Sequence, residues 1–222
     1  MTNIIYSVTD LLNFGVIIFA FFISIVHRKK NLLPIHIYIT ALMFIMLPIE
    51  AVNYLIPQNK FLEQIKTITL NVFSIVEIFL LYYFINQNLS RKFFKIVTLL
   101  LFMAYVLICC TIWFGKRHAF SLFMPDLFGI ENLFITISCL FYFYEVFKSD
   151  LNIDFKSDPT FIIMSGILFY FSVTTPLIFS FYVLSIYALD SLNIFLSLNL
   201  LFNTILIFSF GKAFLCPIPI QK

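Results

Sequence analysis

Three glutamates, Glu50, Glu77 and Glu131, stand in apolar surroundings. Glu77 is the plainest case, set within "FSIVEIFLLYYF". A carboxyl in such a setting can hold a proton, meet a cation or basic ligand, or tie helices together by hydrogen bonds. Polar groups recur at helical spacing around it. Thr67, Asn71, Ser74 and Glu77 follow intervals of four, three and three, a sector of about 120° on a helix. The opposite side carries Val72, Ile75, Val76, Phe79 and Tyr83. Glu131, Ser138 and Tyr142 share a face by intervals of seven and four. Asn193, Ser197 and Thr204 share another, with Asn199 and Asn203 on its shoulder. Glu50, Asn53 and Tyr54 follow Pro48, Thr174 and Thr175 precede Pro176, and Asp10 and Asn13 lie near the chain start. A proline within a helix frees a backbone carbonyl that can line a cavity.

Other chemistries find no support. A zinc hydrolase gathers several His and carboxylates. Here His27 and His36 fall at one end of their apolar runs and His118 in a loop at the other. There is no GxSxG nucleophile elbow and no Gly-rich phosphate loop. No Lys stands mid-run to form a Schiff base. Cys109, Cys110, Cys139 and Cys216 make no CxxC or Cys/His pattern, so they read as small hydrophobes. No catalytic constellation, cofactor or metal is expected. The net charge of +3, without a long basic run, argues against a nucleic-acid partner.

The elements that must position these residues follow from composition. The 222 residues are 62% hydrophobic and only 11% charged, with a mean hydropathy of +1.02. A soluble domain carries roughly a quarter charged residues, so the solvent for this chain is the lipid bilayer. Stretches of about 20 mainly apolar residues span it. Seven are found, at 5–26, 35–56, 64–86, 93–114, 127–147, 159–184 and 190–212, in a single domain covering 1–222. The break at 185–190 is the weakest. The start "MTNIIYSVTD" lacks the basic flank of a signal peptide, and "HRKK" closes the first run as a stop-transfer flank does.

Orientation follows from the positive-inside bias. With the N-terminus outside, ten of the fourteen Lys and Arg face inward: Arg28, Lys29, Lys30, Arg91, Lys92, Lys95, Lys148, Lys156, Lys212 and Lys222. The expected fold is therefore all-α, a polytopic seven-helix bundle, N-out and C-in, in a bacterial inner membrane. Glu77, nine residues before Asn86, then lies about 13 Å deep in a core of about 30 Å. Facing lipid there costs an ionised carboxylate at least about 2.5–3.5 kcal/mol, so Glu77 should face the bundle interior. With no Lys, Arg or His at that depth, burial favours its neutral form.

Bland roles compete with functional ones. Asn71, Asn199 and Asn203 can serve as inter-helix hydrogen-bonding groups. Glu50 and Glu131 can reach the headgroup region. Glu145 and Asp158 flank an inner loop and should be solvated. Few Gly are present, five in all, so close small-residue helix contacts are not an expected theme.

The segments "FSIVEIFLLYYF", "IENLFITISCLFYFYEVF", "SGILFYFSVTTPLIFSF" and "LNIFLSLNLLFNTILIFSFGKAFLC" together resemble bacterial seven-helix membrane sensor modules, found alone or fused ahead of histidine kinases. The resemblance extends over most of the chain. It rests on an acidic residue before aromatics in the third span, Glu-Asn opening the fifth, and amides in the seventh. Glu77, Glu131, Asn132 and Asn203 match that pattern, and with Glu50 and Asn71 they make up the candidate ligand-binding or proton-sensing set. The resemblance implies a non-enzymatic sensor that binds a small or lipid-like ligand in an outward-facing polar cavity. No output domain follows "AFLCPIPIQK", so a separate membrane or cytoplasmic signalling partner is implied. A small proton- or cation-coupled transporter or channel, and a membrane subunit of a larger complex, are the competing expectations.

Overall fold

The computed structural model describes the backbone of residues 2–27, 32–55, 60–115, 125–149, 155–187 and 189–216. Side chains are described for 8–27, 32–45, 68–69, 71–112, 127–149, 155–180 and 194–216. Every regular element among them is an α-helix. In chain order they are α1 (Thr2–Val26), α2 (Leu33–Leu55), α3 (Lys60–Asn88), α4 (Lys92–Gly115), α5 (Pro125–Lys148), α6 (Pro159–Tyr187) and α7 (Leu189–Leu215).

Local chemistry sets several of these boundaries. Pro34, Pro125 and Pro159 each sit in a first turn, where the missing N–H costs nothing and the fixed φ suits a helix. Asp158 caps α6, its Oδ1 accepting from the Phe161 N–H at 2.8 Å. Glu145 does the same for α4 from a distance. Its two oxygens accept from the N–H groups of Ser90 and Arg91, at 2.6 and 2.7 Å. These donors at a helix N-terminus have no intrahelical partner. Both acidic residues were expected to be solvated; Glu145 is instead 9% exposed and ties α5 to the start of α4. The Arg91 guanidinium lies over Phe94 and Tyr144, beside the cap. The weak break resolves with α6 running to Tyr187 and α7 beginning at Leu189, so Asp190 belongs to α7.

Six helices form a ring. Its order is α1, α2, α3, α5, α6, α7, and α7 closes back on α1. The seventh, α4, packs outside the ring against the seam of α3 and α5. Its sequence gives it one lipid-type face and one packed face. Phe93, Ile96, Leu100, Met103 and Leu107 repeat at three and four and are exposed. Phe94, Thr98, Leu101, Tyr105 and Cys109 form the packed side. The ring helices likewise turn large apolar residues outward, Leu11, Phe22, Phe44, Phe79 and Phe147 among them. Such a surface is inverted relative to a water-soluble protein.

Among the described residues, five helices contain stretches long and apolar enough to cross a membrane: Val8–Val26, Lys92–Ile112, Leu127–Lys148, Pro159–Ser180 and Ile194–Leu215. The described apolar part of α2, Leu33–Ile45, is shorter. In α3 the apolar run is diluted by Asn71, Glu77 and the "NQN" end.

The core is not uniform along the bundle axis. The half holding the C-terminal ends of α1, α3, α5 and α7 is filled by Ile17, Ala20, Ile39, Ile78, Leu81, Phe84, Ile135, Cys139, Ile163, Ile207, Phe210 and Phe214, all at most 1% exposed. Helices approach closely there. Gly211 faces the Ala20 backbone, at 3.6 Å from where a Cβ would stand. At Gly166 a Cβ would collide with Ser209, so glycine is what lets α6 and α7 meet. Close contacts at glycine thus occur at two crossings despite the low Gly count. The other half of the bundle is hollow.

Candidate functional site

The hollow is a cavity of about 260 Å³ lined by all six ring helices and not by α4. Asn13 comes from α1, Tyr38 and Leu42 from α2, and Phe73, Ser74 and Glu77 from α3. Phe128, Glu131 and Asn132 come from α5, and Tyr170, Phe171, Leu177 and Ile178 from α6. Phe195, Leu196, Asn199, Leu200 and Asn203 come from α7. The walls are mainly apolar and aromatic, with a few polar groups converging among them.

Glu77 is half-buried at the wall between α3 and α2. The Tyr38 hydroxyl donates to its Oε1 at 3.0 Å. Tyr38 is 2% exposed and is held by the Phe73 and Phe210 rings. Glu131 is 1% exposed. Its Oε2 accepts from the Tyr105 hydroxyl at 3.0 Å, so α4 reaches the site from outside the ring. Its Oε1 is buried and paired with no protein group. Glu131 lies within electrostatic reach of Glu77.

Amides and hydroxyls brace the remaining walls. Asn132 Nδ2 donates to Thr174 Oγ1 at 2.9 Å, joining α5 to α6, and that hydroxyl donates on to the Tyr170 carbonyl at 2.8 Å. Asn203 Nδ2 donates to Asn13 Oδ1 at 3.1 Å, joining α7 to α1. Asn199 Oδ1 is buried and unpaired. Ser74 donates to the Asn71 carbonyl at 3.0 Å. None of the described lining residues is basic.

The expected site residues are therefore partly gathered. Glu77, Glu131, Asn132 and Asn203 line one cavity. Asn71 is buried, with Ser74 and Glu77 on the same side of α3, but does not line it. Glu50 belongs to α2, and its side chain lies outside the described residues. Glu131 is enclosed within the bundle beside Tyr105. Asn203 does act as an inter-helix link, whereas Asn199 lines the cavity with its Oδ1 unpaired.

Sequence reasoning missed Tyr38 and Tyr105, and noted Asn13 as a polar residue without placing it in the site. A Tyr within an apolar helix signals a hydroxyl in need of an acceptor, and two such hydroxyls meet the two carboxyls here. Among the described residues no three of His, Cys, Asp and Glu converge as metal ligands would. His36 lies apart from the cavity. Ser24 gives its proton to the Phe21 carbonyl at 2.8 Å, so it accepts from His36 Nδ1 at 3.0 Å and links α1 to α2.

Neither a known family, a curated protein nor a solved structure matches the chain. The reading of function therefore rests on the geometry of this cavity.

Proposed function

We propose that the chain is a seven-span, N-out and C-in membrane receptor-like module. It binds a small, partly apolar ligand in the cavity and passes a helix shift to a partner on the inner side of a bacterial inner membrane. The observation that carries this reading is the asymmetry of the bundle. One half is a cavity with two acidic side chains and unpaired acceptors, and the other is packed solid. Charge bias directs the hollow half outward, since its ends carry few Lys and Arg. A ligand entering there contacts six helices at once, and packed cores pass small shifts on as discrete rearrangements.

A second reading, proton- or cation-coupled transport, is favoured by one feature, the two carboxyls on one cavity wall. The inner half weighs against it, because it is filled by large apolar side chains at most 1% exposed. Two measurements separate the readings. Liposomes holding the protein should pass no protons, Na⁺ or small solutes. Spin labels at Lys148→Cys and Lys212→Cys, on the inner ends of α5 and α7, should change their separation when Leu200→Trp fills the cavity. Flux that vanishes in Glu77→Gln, with unchanged label distances, would establish transport and overturn the receptor reading.

A further inference from the structure

The cavity also specifies the chemical class of its ligand, and this step rests on the reading of the cavity as a ligand site. Four protein donors at or beside the walls are committed to protein acceptors. Tyr38 gives to Glu77, Tyr105 to Glu131, Asn132 to Thr174 and Asn203 to Asn13. Acceptors remain. Glu131 Oε1 and Asn199 Oδ1 are both buried without a protein partner. A buried polar atom left unpaired costs about 1–3 kcal/mol, so whatever occupies the cavity is selected to bring N–H or O–H donors. The described lining offers two carboxyls and no basic group, which selects a positive charge over a negative one. Six of the lining residues are aromatic: Tyr38, Phe73, Phe128, Tyr170, Phe171 and Phe195. Their ring faces attract cations and accept apolar groups equally well.

Size decides between an inorganic and an organic cation. A bare Ca²⁺- or Mg²⁺-type ion needs about six or more oxygen ligands around one point, usually with several carboxylates among them, and among the described residues no three of His, Cys, Asp and Glu converge. An engineered cavity of about 150 Å³ takes benzene; by proportion, 260 Å³ takes a molecule of about ten heavy atoms. We infer that this cavity binds a small organic ammonium of about that size. Its N–H donors are taken by Glu131 Oε1 and Asn199 Oδ1, Glu77 faces its charge, and its apolar body lies among the phenylalanines.

Phenethylamine, 2-phenylethanol and phenylacetate share one skeleton and differ in charge. Calorimetric titration of each into the full chain in nanodiscs, with empty nanodiscs subtracted, tests the inference. The amine should bind about tenfold or more tightly than the other two, as a charge-assisted hydrogen bond and ring contacts imply. Glu131→Gln should abolish that preference while 2-phenylethanol still binds. If that variant does not fold, Asn199→Leu, at the less enclosed acceptor, should reduce the preference in the same way. Alcohol or acid bound as tightly as the amine, an unchanged preference in the folded variants, or saturable Na⁺ binding without amine binding would overturn the ammonium assignment and leave the cavity as a ligand site. Absence of binding by all three probes and by Na⁺ would overturn the ligand-site reading with it.

Discussion

The two cavity carboxyls differ in what holds them, and the difference has measurable size. Glu131 is enclosed, and its Oε2 accepts from the Tyr105 hydroxyl at 3.0 Å while its Oε1 has no protein partner. Tyr105→Phe leaves a fully buried carboxyl unpaired in the protein and should lower stability by about 1–3 kcal/mol. Tyr38→Phe removes an equal bond from Glu77, but that carboxyl is partly open to the cavity and can be hydrated, so its cost should be smaller. Thermal unfolding in detergent should show that order; the reverse order would contradict the burial assigned to Glu131. Glu145 offers an independent test. Glu145→Ala removes two charge-assisted bonds to the start of α4 and should cost about 1–3 kcal/mol, against about 1 kcal/mol for the ordinary cap removed by Asp158→Ala. A solvated Glu145, as the charge pattern alone suggests, would give near zero. The sequence could flag Glu77 and Glu131 because a carboxyl in an apolar helix stands out. It could not show that Glu145 bridges 55 positions back to Ser90, since that pairing exists only once α4 and α5 are packed.

At the scale of helices, periodicity carried most of the information. The expected apolar side of α3 is largely the exposed one, with Val72, Val76, Phe79 and Tyr83 at 39–53% exposure. Its polar side, Asn71 and Ser74, is buried. The face of Glu131, Ser138 and Tyr142 on α5 is likewise buried. Helix ends follow the proline and charge signals to within a few residues. The neighbours of each helix were not legible, because lipid-facing and protein-facing surfaces are both apolar in a bilayer. The exposed and packed faces of α4 follow its spacing, but exposed Leu and Phe are as many on α1 and α7, so the sequence does not mark α4 as the helix outside the ring. Close approach was also hidden, since it depends on single glycines. Gly166→Ala should force α6 from α7 and cost about 1–3 kcal/mol, and adding Ser209→Gly should recover part of it. Gly15→Ala, where nothing lies within 4 Å, should be neutral or stabilising by about 0.5–1 kcal/mol. Equal costs at Gly15 and Gly166, read from the same unfolding curves, would contradict the described α6–α7 crossing.

For the whole molecule, an apolar composition reads as a membrane protein and a helical one. It does not reveal that the bundle is solid at one end and hollow at the other. That asymmetry arises from where large side chains interdigitate, which depends on ring order. Ligand binding, outward opening and inward signalling all require it. The most direct measurement is labelling with a membrane-impermeant thiol reagent applied to one side at a time. The background keeps buried Cys109 and Cys139 and replaces Cys110 and Cys216 with Ala. A cysteine at Asn199 or Ser74 on the cavity wall should react with reagent added outside and not with reagent added inside. Cysteines at Ile78 and Leu81, in the packed half, should react with neither. Labelling of Asn199→Cys or Ser74→Cys from the inner side, or equal labelling of the two halves, would contradict an outward-opening cavity above a sealed base.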